Sequence, residues 1–259
     1  MTSLKWMNHI EFIGPPGVGK SAICYELAKE GSFFYGTDQE DAGQSVIDRI
    51  FLQEMDYKYR IMYRAIPPSV RLFFNEKLFE YRLRYIALEE FVQDYPSFMG
   101  VLSTAIGSAS YDTETIFFSC KHAAERYQLG VSAVKDSEIL CLDESFAQRA
   151  FSVLWRTPDG SFSLEKYFDA VPTPQILIHV DAPAETCLQR QQKRGRVTVD
   201  KDWESENLNE IQEKLRQICF EVSRNMPPET TTVLIENTGD IRDTIDSVKA
   251  KIDVDEKRN

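Results

Sequence analysis

Gly14, Gly19, Lys20 and Ser21 stand at the spacing G-x-x-x-x-G-K-[ST] inside the stretch FIGPPGVGKS, residues 12 to 21. Glycines at these places let the backbone wrap an anion closely with its amide groups turned inward, and the lysine adds a positive charge. The serine hydroxyl can complete the shell of a magnesium ion. Gly14, Pro15, Pro16, Gly17, Val18, Gly19, Lys20, Ser21 and Ala22 are therefore the candidate cradle for a nucleotide's phosphates, with Lys20 reaching the β- and γ-phosphates. The preceding HIEFI reads as a short buried strand, and the following KSAICYELAKE carries Ile23, Leu27 and Ala28 at helical spacing. A loop between a strand and a helix is the setting such a cradle needs, because the helix N-terminus adds its dipole to the amides.

Two further groups could do chemistry with a bound phosphate. The apolar run Ile139 to Leu142 ends in Asp143 and Glu144. A carboxylate at a strand end can hold the water shell of a magnesium ion beside Ser21, which makes Asp143 the second candidate metal residue. The stretch AETCLQRQQKRGR places Arg190, Lys193, Arg194 and Arg196 together in an otherwise acidic chain. Arg190 and Arg194 lie four apart, on one face of a helix. Guanidinium groups on a closing segment, about residues 188–205, can neutralise charge on a transferring phosphoryl group and exclude water, and Gly195 would let that segment bend. A solvated helix face is the alternative reading of the same residues.

The elements that must position these groups follow from periodicity. GSFFYGTDQED, SEILCLDESFAQR, PQILIHVDAP and TTVLIENTGD each contain a strand candidate, and IRDTIDSVKAKI reads as a closing helix. Strands separated by helices predict an α/β fold, a parallel sheet of about five strands with helices on both faces. Sites in such sheets gather at the carboxyl ends of the strands, where the phosphate loop, Asp38, Asp143 and the Asn237-Thr238 turn would emerge. From about residue 44 to 135 the pattern is mainly helical, and Phe74, Leu78, Tyr81, Tyr85, Leu88 and Val92 step along one expected core face. Within that insertion, DYKYRIMYRAIPPSVR mixes Tyr57, Tyr59 and Tyr63 with Lys58, Arg60, Arg64 and Arg71, which suits either an acceptor site or an ordinary amphipathic surface.

Composition narrows the class. The chain of 259 residues carries 30 Lys and Arg against 41 Asp and Glu, a net charge of −11, which disfavours broad attraction to nucleic acid or anionic membranes. No apolar run approaches the length that spans a bilayer, and the N-terminal residues lack a leader pattern, so a cytoplasmic protein is expected. The five cysteines are scattered without a C-x-x-C pair, and read as buried thiols. His9 and His179 lie in strand-like runs and read as structural.

In order, GPPGVGKS, ILCLDES, VDAPAETCLQRQQKRGR and VLIENTGD resemble the P-loop kinases of nucleosides, nucleotides and other small molecules, over roughly residues 8 to 38 and 138 to 250. The resemblance implies one P-loop NTPase, kinase-like domain over residues 1–259, with a large helical insertion that binds the acceptor and an arginine-rich lid. It implies ATP and Mg2+ as donor and ion, and a small-molecule acceptor as partner. Lys20, Arg190 and Arg194, with Arg196, would clamp the transferred phosphate. Asn237 and Thr238, in the turn after the last strand, would lie near adenine. An acidic residue at the end of the second strand would take the acceptor proton, which implies Asp38 first and Glu144 second. Deoxynucleoside kinases carry Asp-Arg after the third strand, where this chain has Asp143-Glu144-Ser145 and an arginine only at Arg149. The alternative is a P-loop ATPase in which Glu144 polarises water and hydrolysis moves a protein partner.

Overall fold

The computed structural model describes residues 9–29, 33–35, 46–54, 56–68, 70–71, 82–158, 160–195 and 208–256. The candidate base Asp38, Arg196 and the expected lid beyond residue 195 lie outside them, as do Phe74, Leu78 and Tyr81.

Five short strands alternate with helices: β1 (His9–Ile13), β2 (Phe33–Tyr35), β3 (Ile139–Leu142), β4 (Ile176–Asp181) and β5 (Thr231–Glu236). All pair in parallel, in the order β2-β3-β1-β4-β5. The side-chain period of two along each strand divides the core into two layers. Ile10, Phe12, Cys141, Ile176, Ile178 and Val180 pack on one face with α1 (Lys20–Ala28), α9 (Ala184–Lys193) and α11 (Ile241–Glu256). Leu140, Leu142 and Leu177 pack on the other, beneath α6 (Thr113–Ala133), α7 (Phe146–Leu154) and α10 (Leu208–Arg224). The result is the expected α/β architecture, a five-stranded parallel sheet covered on both faces.

Between β2 and β3 the described chain is helical: α2 (Val46–Glu54), α3 (Tyr57–Ala65), α4 (Arg84–Asp94), α5 (Phe98–Ser108) and α6. The short α8 (Leu164–Phe168) follows α7. On α4 the expected core stripe is rotated. Tyr85 is 75% exposed, Leu88 and Val92 are only partly buried, and Ala87 and Phe91 occupy the core. Phe91 stacks on Tyr95 and on Phe146 of α7, so the aromatic contact decides which face turns inward. All five cysteines are free and buried. No described helix is long and apolar enough to cross a membrane.

Candidate active site

Three strand ends converge at one edge of the sheet. From the end of β1 the chain enters the loop of residues 14–19, where Gly17 and Gly19 adopt φ of +84° and +104°. That left-handed region is open to glycine at little steric cost. Space makes the same demand, since a Cβ on Gly17 would lie 2.4 Å from the Cys187 carbonyl oxygen and one on Gly14 would lie 2.3 Å from that of Val180. The loop ends at Lys20, the first residue of α1.

Lys20 is buried and folds back into the loop, with Nζ donating to the Gly14 carbonyl at 2.6 Å and reaching that of Pro15 at 3.4 Å. Burial lowers the pKa of its amine, and Cys219, Glu144 and Asp143 act against that shift. Ser21 is exposed at the start of α1, and Asp143 is buried at the end of β3. Among the described residues no three carboxylate, histidine or cysteine groups form a metal cage. Ser21 and Asp143 suit an ion that takes most of its oxygens from phosphate and water, as magnesium does.

Glu144 is 47% exposed and forms an ion pair with Arg149 on α7, whose guanidinium nitrogen lies 2.7 Å from its carboxylate. Burial works against ionisation, but Arg149 and Lys20 outweigh it and hold the Glu144 carboxyl below the usual range. Beside this pair opens a cavity of about 410 Å³. Glu144 and Arg149 form one wall, and Thr115, Phe118, His122 and Arg126 of α6 form another. Among the described residues Arg149 Nε is buried without a hydrogen-bond partner. At the rim, Asp112 bonds the Arg156 guanidinium at 3.0 Å. The tyrosine-rich α3 contributes nothing to the lining: Tyr57 is 78% exposed, Tyr59 is half-exposed, and Arg71 lies over the Tyr63 ring.

Other candidates sit differently from the expectation. Arg190 is held against the outside of the loop, donating to the Val18 carbonyl at 3.1 Å and the Asn237 carbonyl at 3.0 Å. Asn237 is buried, and its amide donates to Val18 at 2.7 Å while its carbonyl oxygen accepts from Thr244. Thr238 beside it is exposed. Helix α9 ends at Lys193, which leaves Arg194 at its C-cap with the side chain exposed. Arg190 braces the loop and Arg194, one turn further on, meets solvent.

Several residues of the site carry no motif. Gln148 of α7 accepts the Gly14 amide at 3.3 Å, and Gln191 of α9 and Gln212 of α10 both donate to the Pro16 carbonyl at 3.0 Å. The available signal was periodicity: Gln191 follows buried Cys187 by four, and Gln212 lies in the stripe Ile211, Leu215, Cys219, Val222. A glutamine on a buried helix face needs a polar partner. Glu11, fully buried on β1, accepts from the Ala147 amide at 2.8 Å and caps the start of α7, the helix that carries Gln148 and Arg149. Asp181 at the end of β4 is taken by Arg216 through two bonds of 2.6 Å.

No family model and no curated protein sequence matches the chain. Among solved structures it is similar to deoxyadenosine kinase from M. mycoides with bound dCTP (13% identity, TM-score 0.47) and with bound dATP (12%, 0.49). The same enzyme with the products dCMP and a flexible dCDP gives 13% and 0.48. Each alignment covers 95% of this chain and 99% of that one. At these values the likeness carries no argument about the site.

Proposed function

We propose that the protein is an ATP- and magnesium-dependent phosphotransferase that moves the γ-phosphoryl group to a hydroxyl or phosphate of a small molecule. The observation that carries this reading is the position of Glu144 at the end of β3, next to Asp143, where its carboxylate pairs with Arg149, feels the charge of Lys20 and lines the 410 Å³ cavity. A loop for phosphates and a pocket for a small acceptor, joined by one carboxylate, make the arrangement in-line transfer requires.

The roles divide by chemistry. Gly14 to Ala22 hold the phosphates, and Lys20 leaves the Gly14 carbonyl to follow the transferring group. Ser21 and Asp143 would hold magnesium, which when bound would supply positive charge against the phosphates. Glu144 orients the acceptor hydroxyl and receives its proton, with Asp38 as the competing base. Arg194 is the lid arginine available to the transferring group; Arg190 acts from behind the loop.

The test is whether ADP release depends on added acceptor. Ser119→Trp, which places an indole in the cavity lined in part by Ser119, should remove that dependence and leave MgATP binding intact. Vigorous hydrolysis without acceptor, unaffected by Ser119→Trp and stimulated by a protein partner, would support an ATPase instead.

A further inference from the structure

Among the described residues four side chains grip the outside of the phosphate loop at two of its carbonyls. Pro16 O accepts from Gln191 Nε2 and Gln212 Nε2, both at 3.0 Å. Val18 O accepts from Arg190 at 3.1 Å and from Asn237 Nδ2 at 2.7 Å. The donors come from α9, α10 and the turn after β5, so three separate parts of the fold converge on alternate peptides of the loop. Gln191 Nε2 also lies 3.2 Å from Gln212 Oε1, which ties the pair to each other.

A trans peptide is planar, and its C=O and N–H point in opposite directions. The described residues contain no cis peptide. Fixing Pro16 O toward α9 and α10 therefore turns the Gly17 amide away from them, and fixing Val18 O turns the Gly19 amide the same way relative to its own anchor. Glycine would otherwise leave these peptides free to rotate, since Gly17 and Gly19 lack the side chains that restrict φ and ψ. Resting on the phosphate-loop reading, we infer that Gln191 and Gln212, with Arg190 and Asn237, are positioning residues that hold the Gly17 and Gly19 amides toward the bound phosphates before any nucleotide arrives. The doubled donors matter because each carbonyl keeps one anchor when the other is lost. Pre-orientation of this kind removes ordering cost from binding.

The probe is inorganic tripolyphosphate, titrated by calorimetry into the intact protein and followed by 15N-glycine NMR. Gln191→Met with Gln212→Met keeps chain length and removes both donors from Pro16. The double variant should bind tripolyphosphate roughly tenfold more weakly, and each single variant by clearly less than half of that loss on a logarithmic scale, because one donor remains. The Gly17 amide resonance should move on titration in the wild type and stay still in the double variant, a readout that loss of stability alone does not produce. Gln189→Met, on the same helix but on its exposed face and bonded to Glu185, should change nothing. If the double variant does not fold, the singles decide, with at least a twofold loss expected in each. Binding and a Gly17 shift equal to wild type in the variants would overturn the inference alone. Failure of the wild type to bind tripolyphosphate would overturn the phosphate-loop reading and the inference with it.

Discussion

The Lys20 ammonium lies 2.6 Å from the Gly14 carbonyl oxygen, turned back into the loop it terminates. A buried cation whose hydrogen-bond partners among the described residues are carbonyls is held in a place that a phosphate would improve, and burial already lowers its pKa. Lys20→Met should therefore reduce phosphoryl transfer about a hundredfold or more while leaving the thermal midpoint unchanged or raised. Steady-state kinetics and thermal denaturation of one preparation check both halves.

Glu144 and Asp38 compete for the role of base. Glu144→Gln keeps the shape beside Arg149 and removes the proton acceptor, so kcat should fall by a factor of about 100 or more with little change in MgATP binding. Asp38→Asn should change kcat by less. The reverse order, read from the two kcat values, would move the base to Asp38.

Arg190 and Arg194 should separate in their kinetics. Arg190→Ala removes a donor from the Val18 carbonyl and should weaken nucleotide binding. Arg194→Ala should lower kcat while nucleotide binding holds. A common effect on both parameters from both variants would contradict the separation, and fluorescence titration with turnover assays resolves it.

His179 gives the protein an acid limit. Burial holds its imidazole down to about 4, with Ser223 bonded to Nδ1 and the Phe220 ring beside it. Unfolding frees a histidine of ordinary pKa near 6.5, so the unfolded state takes up the proton first as pH falls. The stability due to neutral His179 is present above about pH 6.5 and is lost as pH falls toward 4. Between pH 7 and pH 5 the loss should be about 2 kcal/mol. Denaturant titrations at the two pH values measure it, and His179→Gln should flatten the difference.

Glu11 ties β1 to α7. Its replacement by Ala leaves the Ala147 amide buried without its acceptor and should cost about 1–3 kcal/mol. Because α7 carries Gln148 and Arg149, activity should fall as well, and denaturation with kinetics on Glu11→Ala measures both.

The architecture was legible because apolar runs of four to six residues ended at charged or turn residues. β3 (Ile139–Leu142) ends where Asp143 begins, and β1 runs into the loop motif. The loop itself was legible because glycine and lysine at fixed spacing have few other uses. The outer brace was not, since a glutamine on a helix looks the same whether it faces solvent or a carbonyl until the helix phase is known. The bracing contacts of Arg190 were hidden for a related reason: its charge is visible in the sequence, but its two carbonyl partners lie 172 and 47 residues away. Tyr85 looked like core because its spacing fits, yet the stacking of Phe91 on Phe146 sets the rotation of α4. Which helix of the insertion faces the cavity was not legible, because α6 and the tyrosine-rich α3 both mix aromatic and basic residues; α6 is the one that lines it.

The measurement that bears most directly on the central claim follows the label from γ-labelled ATP with magnesium, across nucleosides, nucleotides, sugars and aminoglycoside- or phenicol-type antibiotics. The account predicts that label appears covalently on one acceptor class with wild-type protein and disappears with Lys20→Met. Label released only as inorganic phosphate across the whole panel, in a Lys20-dependent manner, would contradict it.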